Sequence, residues 1–239
     1  MAARARLRLF PLNSVLFPGA VLNLHVFEPR YRQMIAECLD ANEAFGVVLI
    51  RDGEEAGDAD VLSHDIGTTA EICDVTPLPA GRYYISTTGR RRFKIHDVVS
   101  RDPYLLVDVE YLEEEFDDES AIDELSAEVR DEFREYVRLL VEFSGMSAEF
   151  DMPSDPVDAS FLIGDALRVA DTMKQRLLEL SNTQQRLTVE LGFLRKLLPQ
   201  LRTLLERKAE EAPAERDDAP GGAFRAHQEN FFGKHFSLN

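Results

Sequence analysis

The chain has 239 residues, of which 44% are apolar, so it is long enough to form one large or two small domains around a substantial core. No stretch approaches the roughly 18 consecutive apolar residues of a membrane helix, and prolines and asparagines interrupt the first segment where a signal peptide needs an apolar core. We therefore expect a globular, cytoplasmic protein that does not enter membranes. The formal net charge of −17 argues against a general nucleic-acid binder, because contact with phosphate requires a basic surface.

The first forty residues predict two strands and a helix. Leu7 and Leu9 alternate with arginines, which is the period of a half-buried strand. The turn Phe17-Pro18-Gly19 then reverses the chain before a second apolar strand over residues 21–26. Proline is tolerated in the first turn of a helix, so we predict that a helix begins at Pro29. Its apolar face consists of Tyr31, Met34, Ile35, Cys38 and Leu39.

Short strands separated by turns are predicted from residue 45 to residue 112. The apolar run 45–50 is typical of a buried strand, and the next strand contains Gly67, which admits a bulge or a sharp bend. Turn sequences follow at residues 77–81 and at Gly89. Repeated antiparallel strands of this kind indicate a small curved sheet or barrel, here with one inserted helix.

Residues 113–208 predict a bundle of helices. Ser120 is a suitable cap for an amphipathic helix that ends at Gly145, and further helices are predicted to begin near Phe161 and at Asp171. Asn182 would cap a last helix, which Pro199 should kink. Its leucine seam either packs within the bundle, the favoured interpretation, or joins a second chain, so the chain is a monomer or a weak dimer through this helix. The seam consists of Leu187, Leu191, Leu194, Leu198, Leu201 and Leu205.

The last residues differ from the bundle in composition. A flexible linker rich in alanine, proline and acidic residues is predicted after Lys208. The final segment, residues 224–239, contains four phenylalanines and two histidines and is interpreted either as a docking segment or as a plain tail. The predicted divisions are therefore 1–112 for a β-rich lobe, 113–208 for a helical lobe, and 209–239 for the linker and tail.

Sequence signatures of catalysis and of metal binding are missing. The sequence has no Gly-x(4)-Gly-Lys-Ser/Thr phosphate loop, and its one Gly-Lys pair, Gly233-Lys234, is followed by histidine. The five histidines occur singly, without the spacing of metal ligands. The two cysteines, Cys38 and Cys73, are interpreted as isolated buried thiols. We therefore expect no catalytic residue, no metal and no cofactor.

Several ordered blocks resemble the amino-terminal substrate-binding domain of the Lon ATP-dependent proteases, which also occurs alone in many bacterial proteins. The first block runs from Phe10-Pro11 through Phe17-Pro18-Gly19 to His25-Val-Phe-Glu-Pro-Arg-Tyr-Arg32. Two later blocks are Gly67-Thr-Thr-Ala-Glu-Ile and Gly89-Arg-Arg-Arg-Phe-Lys-Ile. The resemblance covers roughly residues 6 to 205. It implies an α+β fold, in which a curved, antiparallel, PUA-like β-rich lobe with one inserted helix precedes an all-helical bundle lobe.

The resemblance also implies recognition of unfolded or exposed polypeptide, for which an apolar groove is the expected site. The predicted contact residues are aromatic, proline and arginine side chains of the early loop, the first helix and the hairpin: Phe17, Pro18, Phe27, Tyr31, Arg90 and Arg91. Ordinary core packing is the alternative for each aromatic. A second set is predicted to be structural, with paired buried charges at the strand–helix junction. These residues are Glu28, Pro29, Arg30, Gly89, Arg92 and Phe93.

The leading hypothesis is a non-catalytic polypeptide-binding protein that serves as an adaptor or sensor in protein quality control. Its expected partners are unfolded polypeptides and, as a further candidate, a separate ATPase or protease. Two alternatives are a protein-interaction scaffold and an RNA-binding protein that uses Arg90, Arg91 and Arg92 of a PUA-like barrel, although the net charge makes nucleic acid an unfavourable partner. Residual peptidase activity is the least favoured hypothesis.

Overall fold

The computed structural model describes residues 4–52, 62–115, 119–145 and 151–211, so the aromatic tail and nearly all of the predicted linker lie outside the described residues. Within these ranges the structure has six strands, and four of its five α-helices follow the last strand. The strands are β1 (Arg4–Leu12), β2 (Val21–Val26), β3 (Phe45–Asp52), β4 (Leu62–Leu78), β5 (Arg82–Ser100) and β6 (Leu105–Tyr111). The helices are α1 (Pro29–Ala41), α2 (Glu119–Ser144), α3 (Pro156–Ala166), α4 (Asp171–Glu179) and α5 (Thr183–Glu211).

The strands form a sheet that closes on itself. Their order is β2-β5-β4-β3-β1-β6. The second half of β5 also pairs with β6, so β5, β4, β3, β1 and β6 form a closed ring. Strand β2 pairs with the first half of β5 outside this ring. The predicted α+β fold is confirmed. One pairing differs from the antiparallel expectation: β1 and β3 are parallel, with Leu9 opposite Gly46. Parallel neighbours need a long crossover, and β2 and α1 provide it.

Gly67 lets β4 pass close to β3 and to the ring of Phe93, whose side chain is fully buried inside the barrel. A Cβ atom added to Gly67 would lie 2.2 Å from the carbonyl oxygen of Val47 on the neighbouring strand. The register between β3 and β4 shifts directly after the pair formed by Val48 and Gly67. Gly67 therefore marks an irregularity of the sheet, as its position in the sequence predicts.

Helices α2 to α5 pack on the side of the barrel where the connection between β1 and β2 passes. One hydrophobic cluster combines Val15 and Phe17 of this connection with Leu49 of β3 and with apolar side chains of α2, α3, α4 and α5. Leu187, Leu191, Leu194 and Leu198 of α5 are buried in this cluster. Those four residues thus pack within the chain's own bundle, which was the favoured interpretation of the leucine seam.

Helix α3 begins earlier in the chain than predicted. Its first residue is Pro156, and the side chain of Asp155 caps it by accepting hydrogen bonds from the backbone N–H groups of Val157 and Asp158, at 2.8 and 3.1 Å. The helix ends at Ala166, only five residues after its predicted start near Phe161. The Asp-Pro pair is a known signal for a helix start, whereas apolar spacing alone misplaced this boundary.

The predicted cap of the last helix is present, and its loss should be measurable. Asn182 accepts a hydrogen bond through Oδ1 from the backbone N–H of Gln185 at 2.9 Å. Asn182→Ala should therefore lower the free energy of unfolding by about 1 kcal/mol in urea titrations. Asn182→Ser keeps a capping oxygen and should stay within a few tenths of a kcal/mol of the parent. Equal losses in the two variants would contradict a capping role.

Candidate functional site

An open groove of about 630 Å³ lies between the barrel and α3. The barrel wall consists of two short segments, residues 18–21 and 89–91. The opposite wall, the helical wall, is formed by Asp158, Phe161, Leu162 and Asp165 of α3 together with Pro153 of the preceding loop. Its volume falls in the range typical of ligand sites. Three of the predicted contact residues, Pro18, Arg90 and Arg91, line this groove.

In the barrel wall, the turn that precedes β2 is hydrogen-bonded to Gly89 of β5. The turn predicted at Gly89 was wrong, because β5 continues through this residue from Arg82 to Ser100. The backbone N–H of Gly19 donates to the carbonyl oxygen of Gly89 at 2.9 Å, and the N–H of Gly89 donates to the carbonyl oxygen of Ala20 at 2.8 Å. Gly19 has a φ of +80°, which favours glycine. A Cβ atom on Gly89 would lie 2.1 Å from the carbonyl oxygen of Phe17, so only glycine fits where the turn meets β5.

The side chain of Phe17 does not line the groove. It is fully buried and faces Phe161, with ring centroids 6.4 Å apart. A Cβ atom on Gly164 of α3 would come within 3.0 Å of the Phe17 ring, so this helix approaches the turn closely. Phe17 therefore holds the two walls together, and Leu162, which is half-buried, is an apolar side chain that the helical wall presents to the groove.

The arginines at the rim are paired with carboxylates. Arg90 forms an ion pair with Glu71, and Arg91 donates to Glu113 at 3.0 Å while its guanidinium lies 4.2 Å from the centre of the Tyr111 ring. Across the groove, burial and then the nearby Asp155 raise the pKa of Asp158 above its ordinary range. The groove is therefore not a basic surface, which weakens the RNA-binding alternative.

Arg92 points into the protein and binds the helical lobe. Its guanidinium donates to the backbone carbonyl oxygens of Leu178 and Leu180, at 2.7 and 2.8 Å, and to the carboxylate of Glu114. Only 2% of Arg92 is exposed. This barrel residue therefore connects β5 with the end of α4 and with the segment that leads to α2.

A second buried arginine completes this network. Arg186 of α5 donates to Glu114 at 2.8 Å and to Ser160 of α3 at 2.7 Å, and Ser160 in turn donates to Glu190 at 3.0 Å. The guanidinium of Arg186 lies 4.0 Å from the centre of the Phe161 ring, directly behind the groove wall. We call Arg92, Glu114, Ser160, Arg186 and Glu190 the arginine cluster.

The arginine cluster extends beyond what the sequence reasoning identified. Arg92 was assigned a structural role, but Arg186 and Glu190 were treated only as parts of a helix. The sequence does contain a pattern that indicates their burial. Arg186 directly precedes Leu187, and Glu190 directly precedes Leu191, so both charged residues lie beside the buried face of α5. Charged residues next to an apolar seam with a period of 3.6 indicate a buried ion network when a partner is available.

The remaining predicted residues lie away from the groove. Phe27 is 52% exposed and forms an aromatic patch with His25 and Tyr84, whose ring centroids are 4.7 Å apart. Tyr31 is buried and stacks on Phe10 at 4.0 Å, which is core packing. At the start of α1, Arg30 donates to Glu28 at 3.0 Å, next to Pro29 in the first turn.

Two further observations concern the part of the chain that the structure describes. Within it, no cluster of three or more histidine, cysteine, aspartate or glutamate side chains is arranged to hold a metal ion. No helix there has the length and the apolar character needed to cross a membrane. Of the two cysteines, Cys38 is buried, but Cys73 is exposed, which corrects the expectation of two buried thiols.

Glu190 should make the stability of the fold depend on pH. Its carboxyl is fully buried, and desolvation holds its pKa well above the ordinary value of 4.5, against the smaller opposing effect of Arg186. The folded state therefore binds this proton more tightly than the unfolded state. The stabilisation that the protonated carboxyl of Glu190 contributes is therefore complete at low pH. It is lost as the pH rises from the pKa of Glu190 in the unfolded state to its higher pKa in the folded state.

Glu190→Gln removes this titration and mimics the neutral acid. We expect the variant to exceed the parent in free energy of unfolding at pH 7 by more than about 1 kcal/mol, and to match it below about pH 4. Urea titrations between pH 4 and pH 8 measure the difference. If the free energies of unfolding of Glu190→Gln and the parent differed by the same amount at every pH, a raised pKa for Glu190 would be contradicted.

The fold and the groove together define a class of protein. A closed barrel and a helical bundle hold a wide, partly apolar groove between them, and this arrangement is typical of a binding module. Residues 6–196 match the family described as the ATP-dependent protease La (LON) substrate-binding domain. The chain therefore belongs to this family.

Curated relatives agree with this assignment. The Lon protease of Anaeromyxobacter dehalogenans is 30% identical over 213 residues, which cover 86% of this chain and 24% of that protein. Lon protease 2 of Myxococcus xanthus is 27% identical over 191 residues, covering 79% of this chain and 23% of that protein. The chain thus spans about a quarter of the length of the Lon proteases that it matches.

Solved structures show the same architecture. The crystal structure of a Lon N-terminal domain protein from Xanthomonas campestris has 27% sequence identity and a TM-score of 0.59, and the match covers 79% of this chain and 98% of that chain. The N-terminal domain of the Mycobacterium avium complex Lon protease superimposes with a TM-score of 0.60 at 18% identity, covering 80% of this chain and 98% of that one. This second match shows similarity of fold.

Proposed function

We propose that this chain binds exposed segments of unfolded polypeptide in the groove between the barrel and α3. The observation that carries the proposal is the combination of membership in a family of substrate-binding domains with an open groove whose walls include apolar side chains. Polypeptide is the substrate of a protease, so a substrate-binding domain of this family needs a site for it.

The chemistry of the groove is suited to such a ligand. Pro18, Val21 and Leu162 offer apolar surface to the side chains that unfolding exposes. Asp158 and Asp165 on the helical wall add carboxylates that can accept hydrogen bonds from a backbone or from basic side chains. A few polar groups in an apolar groove provide orientation without restricting binding to one sequence.

The proposed role is non-catalytic. The matched region is the substrate-binding domain, and the sequence contains no phosphate loop of the Gly-x(4)-Gly-Lys-Ser/Thr type. We therefore propose an adaptor or sensor of protein quality control in the cytoplasm, which captures unfolded segments and has a separate ATPase or protease as a candidate partner.

The test is the affinity of the protein for a permanently unfolded polypeptide, such as reduced and carboxymethylated lactalbumin, measured by fluorescence anisotropy. Leu162→Ser removes apolar surface from the groove and should weaken binding about tenfold. The matched control is Leu204→Ser, an exposed leucine of α5 that does not line the groove, and it should bind like the parent. Equal affinities of the two variants, or no binding by the parent, would contradict the proposal.

A further inference from the structure

A second pocket lies at one end of the barrel, where β4 and β5 separate. Strand β4 pairs with β5 only from Ile66, which lies opposite Lys94, to Leu78. Beyond Lys94, β5 continues beside β6, while residues 62–65 of β4 stay with β3. The gap between the two strands opens into a pocket of about 170 Å³, to which all five strands of the ring contribute. We call this pocket the barrel mouth, and it shares no lining residue with the groove.

The floor of the barrel mouth is apolar. Leu9 and Val107 belong to the cluster inside the barrel and are 1% and 0% exposed. Ile95 and Leu105, which are partly buried, pack against the same cluster and also line the pocket. The volume lies below the range of sites for drug-sized ligands, so the floor is suited to a group of about the size of one amino-acid side chain.

Three charged side chains and one hydroxyl group surround this floor. Arg51, near the end of β3, and Arg101, between β5 and β6, are both exposed, and Ser63 and Asp65 lie near the start of β4. Within the part of the chain that the structure describes, neither arginine has an ion pair or a side-chain hydrogen bond, unlike the arginines at the rim of the groove. The lining thus has a net positive charge in a chain whose formal net charge is −17.

The combination of these groups selects one class of ligand. Guanidinium groups match a planar carboxylate with paired N–H donors, and the hydroxyl group of Ser63 is a further donor. Asp65 repels a doubly charged anion such as phosphate more strongly than a singly charged one. The apolar floor favours a ligand that carries an apolar group beside its charge. The lining therefore favours a singly charged carboxylate with a short apolar side chain.

We propose that the barrel mouth binds an apolar α-carboxylate, with its carboxylate group at Arg51 and Arg101 and its side chain against Leu9 and Val107. The same chemistry occurs in a free derivative of an apolar amino acid and at the C-terminus of a polypeptide. The site is separate from the groove, and the proposal does not depend on the binding of unfolded polypeptide there.

The first test compares N-acetyl-leucine with N-acetyl-leucinamide, which lacks only the negative charge. Both are titrated into the ¹⁵N-labelled protein, and amide shifts are followed by NMR. We expect N-acetyl-leucine to shift the resonances of Arg51, Ser63 and Arg101, and the amide to bind at least about tenfold more weakly. N-acetylglycine, which has no side chain for the floor, should also bind about tenfold more weakly. Equal affinities of the acid and the amide, or shifts only outside the barrel mouth, would overturn the proposal.

Variants of the charged residues provide an independent test. Arg51→Ala and Arg101→Ala should each bind N-acetyl-leucine about tenfold more weakly than the parent. The matched control is Arg207→Ala, because Arg207 is an exposed arginine of α5 that does not line the barrel mouth. If all three variants bound N-acetyl-leucine equally well, the assignment of the two arginines would be wrong.

Asp65→Asn should have the opposite effect. Removal of the negative charge from the lining should strengthen the binding of N-acetyl-leucine about threefold and leave that of the amide unchanged. A gain in affinity of this kind does not arise from partial unfolding of the variant. Weaker binding of N-acetyl-leucine by Asp65→Asn would contradict the proposed placement of the carboxylate.

A hexapeptide that ends in leucine separates the two sources of the ligand. If the peptide with a free C-terminal carboxylate binds at least as tightly as N-acetyl-leucine, and its C-terminal amide does not, the ligand is the end of a polypeptide. If N-acetyl-leucine binds and the peptide does not, the ligand is a small free acid. Binding of neither overturns the proposal. The groove variant Leu162→Ser should bind N-acetyl-leucine like the parent, so failure at the barrel mouth leaves the proposed function intact.

Discussion

Glu114→Gln is expected to lower the free energy of unfolding by about 3–5 kcal/mol. The carboxylate of Glu114 binds the guanidinium groups of Arg92 and Arg186, which are 2% and 0% exposed. Burial and the proximity of Arg186 already lower the pKa of Arg92, whereas Glu114 raises it. Removing the negative charge would leave two buried cations that repel each other. Urea denaturation monitored by circular dichroism measures the loss.

The adjacent residue provides the control for this prediction. Glu113 also pairs with an arginine, Arg91 at 3.0 Å, but its side chain is 84% exposed. Exposed ion pairs contribute little, so Glu113→Gln should change stability by less than about 1 kcal/mol. If Glu114→Gln and Glu113→Gln lowered the free energy of unfolding by similar amounts, burial of the arginine cluster would not determine how strongly its ion pairs stabilise the fold.

Gly89→Ala is expected to destabilise the fold by about 3 kcal/mol and to disturb the barrel wall of the groove. The added methyl group would lie 2.1 Å from the carbonyl oxygen of Phe17, and a backbone atom cannot move aside as a flexible side chain can. The turn formed by Phe17, Pro18 and Gly19 would have to shift away from β5. We therefore expect both a lower melting temperature and weaker binding of unfolded polypeptide.

Another glycine provides the matched control for Gly89→Ala. Gly192 lies in α5, and a Cβ atom added there would meet no atom within 4 Å. Alanine is the better helix former, so Gly192→Ala should raise stability by roughly 0.5–1 kcal/mol. A stabilising or neutral effect of Gly89→Ala in the same thermal denaturation assay would contradict the close contact between Gly89 of β5 and the turn at Phe17.

Local patterns in the sequence were sufficient for much of the fold. The start of α1 at Pro29, the cap at Asn182 and the four buried seam leucines follow from rules that involve neighbouring residues only. The parallel pairing of β1 with β3 does not, because strand partners depend on how a crossover returns across the sheet. The start of α3 was missed because apolar spacing was given more weight than the Asp155-Pro156 cap.

The candidate site was less accessible to sequence reasoning. Phe17, Phe27 and Tyr31 are all aromatic, yet Phe17 and Tyr31 are buried and Phe27 is exposed. The difference depends on tertiary neighbours, since Phe17 packs against Phe161 of α3 and Tyr31 stacks on Phe10. The helical wall of the groove lies about 70 residues from Gly89 in the chain, and no local pattern links the two. Tertiary packing decides such contacts.

Site-specific photo-cross-linking tests the central claim most directly. A benzoylphenylalanine placed at Leu162, in the groove, and another placed at Leu204, outside it, would be illuminated in the presence of reduced and carboxymethylated lactalbumin. We predict cross-links to the unfolded polypeptide from the first position, few from the second, and none to native lactalbumin. Equal cross-linking from both positions, or equal capture of the native and unfolded forms, would contradict recognition of unfolded polypeptide in the groove.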